Sequence, residues 1–311
     1  MSLSFSDRLT LARFDIDRDY LARNSPTLFD DLFADSATRV MLLMNGSALV
    51  TSEKAIALLA PDAVPDAETL IYLGRTTVAS DDAPAGTAIV AAVITDAGHY
   101  AEGEWGNLRS IGSTLSDRDA GIFVEALAMA NWHATHRFSP KTGEPTVSGK
   151  GGWVRVDPSG AELFPRTDSA IIVGITDADD RLLLGSNALW EKNRYSLLAG
   201  FVEPGESLES AVKREVFEES GLRVIDPVYL GSQPWPFPAS LMLGYLARVD
   251  PDSDGVLTPD GEEIIDLRWF SREELAASLD EIMLPGAVSI ARAIIEEWYG
   301  GPIDDANQWK L

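Results

Sequence analysis

Cysteine is absent from the 311 residues. Disulfides, thiolate zinc sites and cysteine nucleophiles are therefore excluded. Basic residues are scarce: 25 Lys and Arg stand against 49 Asp and Glu, a formal net charge of −24. A chain this acidic is not drawn to nucleic acid or to an anionic membrane by its overall field. A nucleotide held through metal ions is still compatible with it, and most of the charges read as solvated surface. Long apolar runs are missing too, with no stretch approaching the roughly 18 residues that span a bilayer. The opening MSLSFSDRLTLARFDIDRDY is polar and acidic and lacks the basic-then-apolar order of a signal peptide. A cytoplasmic protein without a membrane partner is expected.

What is present is an ordinary globular composition, 45% apolar and 24% charged, long enough for two or three domains of about 100–200 residues. The expected fold class is α+β. Residues 1–133 read as one α+β domain without a catalytic signature. Within it, Arg39–Val50 (RVMLLMNGSALV) reads as a hairpin turning at Asn45-Gly46. Leu70–Leu73 and Thr87–Ile94 read as strands, and Asp117–Ala134 as a helix. Residues 134–167 are rich in Gly, Pro, Ser and Thr and form a compact turn-rich module of small hairpins. Residues 168–311 return to periodic signals. Strands are expected at Ala170–Ile175, Arg181–Gly185, Tyr195–Phe201, Met242–Val249 and Glu263–Phe270, and helices at Arg272–Leu279 and Ser289–Tyr299.

The most informative stretch is GFVEPGESLESAVKREVFEESGL, Gly200–Leu222. Ser207 is a plausible N-cap and Gly221 a helix-ending residue, while Leu208, Ala211, Val212 and Val216 make an apolar stripe. Glu215, Glu218 and Glu219, spaced i, i+3, i+4, share another face. Like charges so placed repel, and a divalent cation would turn that repulsion into binding. Oxygen-only ligands suit hard ions such as Mg²⁺ or Mn²⁺. Arg214 could orient a neighbouring carboxylate through a forked hydrogen bond. An isolated E-x-x-E-E reads more simply as a solvated helix face.

The wider spacing reverses that judgement. Gly200, Glu206, Arg214-Glu215, Val216, Glu218-Glu219, Gly221 and Leu222 occupy the fixed positions of the Nudix box, so the stretch closely resembles that family's signature. Downstream, Ser232–Ser240 reads SQPWPFPAS. Its prolines stiffen the segment and hold Trp235 and Phe237 out of helical geometry, where rigid aromatics suit stacking on a base or nicotinamide. That motif after a Nudix box resembles the NADH pyrophosphatase branch. Trp132-His133, Gly151-Gly152-Trp153 and Phe164-Pro165-Arg166-Thr167-Asp168 fit the same resemblance.

The resemblance implies a Nudix α/β/α sandwich with a mixed sheet over 168–311 and a zinc-ribbon-like module at 134–167. It implies metal-dependent hydrolysis of the pyrophosphate of NADH or NAD to nicotinamide mononucleotide and AMP, including NAD caps on RNA, by a homodimer. Carried over by position, Glu215, Glu218, Glu219 and Arg214 are catalytic, and Glu215, Glu218, Glu219 and Glu263 hold Mg²⁺ or Mn²⁺, with Glu262 the alternative if the register slips. Phe201, Gln233, Trp235, Ser240, Ala291, Ile172 and Phe164 bind substrate, Phe164 from the second subunit. One departure is clear. The branch's four zinc-binding cysteines are replaced by Ser139, Thr142, Val156 and Ser159. No structural zinc is expected, and packing of Trp153, Phe138 and Phe164 is expected to hold the module instead. Hydrolysis of ADP-ribose, another dinucleotide or coenzyme A, and a catalytically silent NAD-binding role, are the competing readings.

Overall fold

In the computed structural model the described residues are 4–51 and 54–305. Packing divides the chain into two units. One comprises Arg13–Thr167 with Trp235–Ala239; the other joins the segment up to Ala12 to Asp168–Pro234 and to the chain from Ser240 onward. This differs from the division at 133 and 167 read from the sequence. The turn-rich module packs within the first unit, and the early segment belongs with the Nudix-like region.

The Arg13–Thr167 unit is built on a seven-stranded sheet. Its elements are β1 (Ile16–Asp17), α1 (Leu28–Ala34), β2 (Arg39–Met44), β3 (Ser47–Val50), β4 (Leu58–Leu59), β5 (Thr69–Thr76), β6 (Ala88–Val93), β7 (Glu104–Asn107), α2 (Leu108–Ile111) and α3 (Asp117–Thr135). The sheet order is β1-β5-β6-β2-β3-β7 with β4 also on β2, and β2 runs parallel to β6. The β2–β3 hairpin turns at Asn45 and Gly46, whose φ values of 51° and 77° are the left-handed geometry such turns need. Ser116 caps α3 by accepting from the Asp119 amide, worth about 1 kcal/mol.

Glu125 of α3 is the costly residue here. It is 5% exposed, neither carboxylate oxygen has a hydrogen-bond partner, and the Arg18 guanidinium lies 3.8 Å away. Burial pushes its pKa up from 4.5 to about 7, with Arg18 and Arg23 opposing. The folded state then holds a proton that the unfolded state releases, so stability falls as pH rises from about 4.5 to about 7 and is level above that. Glu125→Gln should remove this residue's share of the slope, leaving that of other buried carboxylates, and make the protein more stable than the parent at pH 8, by roughly 3 kcal/mol at most. Urea unfolding at pH 5 and pH 8 checks it: an unchanged pH slope in the variant would rule out Glu125 as its source.

The turn-rich module is a three-stranded sheet, β8 (Val147–Gly149), β9 (Val154–Val156) and β10 (Glu162–Leu163), in order β10-β9-β8. Packing holds it differently from the expectation. Phe138 is 60% and Phe164 67% exposed, so neither ring closes a core. The buried Asp157 carboxylate does the joining: it accepts from Ser139 Oγ at 3.1 Å, from Ser159 Oγ at 2.6 Å and from the amides of Ser159 and Ala161. Hydrogen bonds led by that from Ser159 hold the acid below its ordinary range. Trp153 does contribute, donating Nε1–H to the Tyr72 carbonyl at 2.8 Å beneath the Arg23 guanidinium.

The second unit is a sandwich. Its mixed sheet contains β11 (Asp168–Thr176), β12 (Leu182–Asn187), β13 (Leu198–Phe201), β14 (Val224–Trp235), β15 (Ser240–Val249) and β16 (Ile264–Phe270), with helices α4 (Leu208–Ser220), α5 (Arg272–Ser278) and α6 (Ile290–Tyr299). The order is β14-β15-β11-β12-β16, with β13 on β11; β11 and β15 are parallel and the pairs of β11 with β12 and β13 antiparallel. Alternation along β11 serves two cores. Ile171, Val173 and Ile175 pack with Ala211, Val212 and Val216 of α4. Ile172 faces the other way, into a cluster with Leu275 of α5 and Ile294, Ile295 and Trp298 of α6. The expected strand at Tyr195–Phe201 begins only at Leu198, and the Pro and Gly positions of β14 mask its period in the sequence.

Two further features complete this unit. Leu9, fully buried, sits in the α5–α6 core cluster with Phe5 and Ala12 packed against it. Thr10 Oγ1 donates to the Ala287 carbonyl at 2.8 Å, and Arg8 pairs with Glu297. Arg292 of α6 forms a bidentate pair with Asp305. It also binds Glu296 and the carbonyls of Pro285 and Ile303.

Candidate active site

The site is assembled where β13 runs through a loop into α4. Ser207 caps α4 by accepting from the Ser210 amide at 3.2 Å, and Gly221 ends it at φ 75°. Burial of Ala211, Val212 and Val216 against the sheet fixes the rotation of the helix. That rotation presents Arg214, Glu215 and Glu218 away from the core and buries Glu219 to 5% exposure.

Arg214 is the hub. It grips Glu206 through Nε at 3.1 Å and Nη2 at 2.6 Å, and its Nη1 lies 2.9 Å from both Glu215 and Glu218. Nη2 also donates to the Phe201 carbonyl at 3.0 Å. Glu206 in turn accepts from the Glu203 amide. The Arg214 fork holds Glu206 below the usual carboxylate range. One side chain thus ties the loop, the end of β13 and α4 into a single frame.

Glu215 lies over Gly200. A Cβ at position 200 would fall 2.0 Å from Glu215 Cδ, so the carboxylate occupies the space that any other residue would fill. Burial raises its pKa while Arg214 lowers it. Glu219 has no such relief. Its Oε2 is buried without a hydrogen-bond partner, and burial, then Glu263, Glu215, Asp260 and Glu218, push its pKa up to about 8. Four carboxylates therefore act on a fifth whose oxygen is orphaned. That fits a hard cation: oxygen donors only, and an unsatisfied buried acceptor. The fit is of donor chemistry. Among the described residues no three acidic or histidine side chains already stand in a ligating cluster, since Arg214 engages Glu215 and Glu218.

Asp260 escaped the sequence reading. Its Oδ1 accepts from the amides of Glu262, Glu263 and Ile264, which fixes the turn carrying Glu263; the PDGEE run was the signal. Glu263 accepts from Asn187 Nδ2 at 3.3 Å, and Glu262 is exposed.

The other residues expected at the site fall into distinct settings. Phe201 is 60% exposed at the end of β13. Ser240 opens β15 opposite Asp168. Gln233 is fully buried, accepting from the Leu11 amide at 3.3 Å and donating to the Val288 carbonyl at 3.0 Å, so both ends of its amide are engaged. Ile172 and Ala291 lie in the core, and the Ala291 amide bonds Ser289 Oγ. Trp235 and Phe164 belong to the other unit. There, Trp235 and Phe237 meet edge to face at 5.0 Å, and the Arg109 guanidinium lies 4.0 Å from the centroid of Phe237. Nothing in the sequence ties Arg109 to that motif.

Comparison with known proteins bears on this geometry. Residues 165–292 match the NUDIX domain model. The chain carries a Nudix domain. Residues 37–132 match a second model, the NADH pyrophosphatase-like rudimentary NUDIX domain. The NAD-capped RNA hydrolase NudC of Mycobacterium bovis is 46% identical over 62% of the chain and 64% of its own length. The NAD-capped RNA hydrolase NUDT12 of Homo sapiens is 35% identical over 59% of the chain and 42% of its own. The chain thus spans just under two thirds of the mycobacterial relative. A crystal structure of a Nudix hydrolase from Nitrosomonas europaea matches 53% of the chain and 94% of its own, with 20% identity and a TM-score of 0.41. Among the described residues no helix is long and apolar enough to cross a membrane.

Proposed function

We propose that this protein, through its Nudix domain, hydrolyses the pyrophosphate of NADH and NAD, releasing nicotinamide mononucleotide and AMP, and removes NAD caps from RNA. The observation that carries the reading is the orphaned Glu219 oxygen, on whose carboxyl Glu263, Glu215, Asp260 and Glu218 all act. SQPWPFPAS and the names of the relatives, NAD-capped RNA hydrolases, support the choice of substrate.

Glu215, Glu218, Glu219 and Glu263 would hold Mg²⁺ or Mn²⁺. A divalent cation there supplies positive charge against a pyrophosphate and makes water a better nucleophile at neutral pH. The chain's own contribution is placement. Gly200 lets Glu215 reach over the end of β13, and Arg214 fixes the loop and keeps Glu206 ionised. The exposed ring of Phe201 offers a stacking face for the nicotinamide. The protein works as a homodimer in this reading, with the two-thirds exposed Phe164 ring directed to a partner copy.

Glu215→Gln keeps the size of the side chain and removes its charge. It should eliminate nearly all turnover and leave thermal unfolding cooperative. The test incubates purified protein and Mn²⁺ with NADH, NAD, ADP-ribose and NAD-capped RNA and resolves the products. Release of AMP and nicotinamide mononucleotide by the parent, but not by the variant, is the expected result. Cleavage confined to ADP-ribose, or binding without products, would overturn the proposal.

A further inference from the structure

A second polar site lies within the Arg13–Thr167 unit, in a cleft of about 350 Å³ between the end of α3 and the turn-rich module. Arg155 is fixed at its floor entirely by neutral acceptors. Nε donates to Thr146 Oγ1 at 2.6 Å, Nη2 to the Thr146 carbonyl at 2.7 Å and Nη1 to His133 Nδ1 at 2.9 Å. His133 Nε2 lies 2.7 Å from the Gly152 carbonyl. A carbonyl only accepts, so Nε2 carries the proton and Nδ1 offers its lone pair to Arg155. The imidazole is therefore neutral and cancels none of the guanidinium charge.

Arg137 lines the same cleft and lies close enough to Arg155 for the two cations to oppose each other. Its partner is Glu68, at 2.7 Å, in a pair whose members are 55% and 42% exposed. Surface pairs of this kind contribute little and exchange readily. In a chain with about twice as many acidic as basic residues, this cleft is lined by two guanidiniums and one carboxylate, which leaves it locally positive. The fork of Arg155 is pre-ordered and retains unused donors. Beside them stands Phe138, 60% exposed on the cleft wall. Held cations next to an open aromatic face are the elements that bind a phosphate together with the base attached to it.

We propose that this cleft is a nucleotide-binding site distinct from the glutamate centre, in which Arg155 and Arg137 take a phosphate and Phe138 stacks on the adjoining base. The phosphate belongs either to a single-stranded RNA chain or to a free mononucleotide. The site does not depend on the hydrolytic reading, because none of its residues belongs to the glutamate centre.

The test uses the full chain and three probes at low salt by calorimetry: inorganic phosphate, AMP and a short uncapped oligoribonucleotide. The parent should bind the nucleotide probes, and rising salt should weaken binding. Arg137→Gln and Phe138→Ala, both at exposed positions, should each weaken binding about tenfold, with NADH hydrolysis unchanged. Arg155→Gln should remove it; hydrogen exchange over 139–161 shows whether its module is intact, and the two exposed variants decide the matter if it is not. Binding of AMP as tight as that of the oligonucleotide identifies a free-nucleotide site, and tighter oligonucleotide binding an RNA site. Failure of the parent to bind any probe, or binding unaffected by Arg137→Gln and Phe138→Ala, would overturn the proposal. Loss of NADH hydrolysis with probe binding intact would instead count against the glutamate centre alone.

Discussion

Gly200→Ala should cost as much activity as loss of the Glu215 carboxylate. The added Cβ would stand 2.0 Å from Glu215 Cδ, with both carboxylate oxygens within 2.3 Å. The carboxylate must move, and α4 cannot move with it, because Ala211, Val212 and Val216 hold the helix to the sheet. Displacements of about 1 Å at a reacting centre cost on the order of 10²-fold in rate. The substitution should also destabilise the protein by roughly 1–3 kcal/mol through overpacking. These two effects separate in a double-mutant cycle. In a Glu215→Ala background the alanine at 200 meets no carboxylate, so its stability cost should disappear while activity stays absent. Hydrolysis rates and urea unfolding of the four proteins are the measurements. Full activity in Gly200→Ala, or an equal stability cost with and without Glu215, would refute the contact.

Asp305→Ala is the substitution expected to cost most in stability. The Arg292 and Asp305 side chains are 4% and 1% exposed and share two hydrogen bonds. Removing the aspartate leaves a buried guanidinium with Glu296 as its remaining charge partner. Breaking a buried pair from one side costs about 3–5 kcal/mol, whereas replacing both members with apolar residues of similar volume is often neutral. Arg292→Met with Asp305→Leu should therefore recover most of what Asp305→Ala loses. The effect should reach function as well. Arg292 holds the Pro285 carbonyl, and the loop that follows bonds Gln233 through the Val288 carbonyl. Denaturant unfolding and KM for NADH, measured together, test both statements; a loss below about 1 kcal/mol for Asp305→Ala would show that the pair is solvated.

How much of this was legible in the sequence depended on whether a residue's partner lies nearby in the chain. The β2–β3 hairpin, α3, α4 and α6 announce themselves because turn residues, caps and apolar periods are local. The frame around Arg214 was half legible. The spacing of Glu215, Glu218 and Glu219 on one helix face is arithmetic, but the bidentate grip on Glu206 requires the loop to fold back. Gly200 stood in the motif as a fixed position whose reason appears only when Glu215 is seen lying over it. Asp260 and Arg109 were illegible, since one acts through a turn and the other through an aromatic far along the chain. Phe138 and Phe164 misled, because exposed aromatics in a turn-rich stretch resemble core aromatics in composition. The acidic composition points away from nucleic acid; a local basic patch around Arg137, Lys141 and Lys150 is readable in the sequence, but Arg155 joins Arg137 only through the fold.

The position of Leu9 has a consequence for how the protein is made. Leu9 leaves the ribosome before the strands and helices beyond residue 168 that cover it. During synthesis Leu9 lacks these partners until that region emerges, so it is available to chaperones or to neighbouring chains. A fragment starting at Asp168 would have a complete glutamate motif and an empty place where Leu9 belongs. Its weakness would show as poor yield and aggregation before any defect in chemistry could be measured.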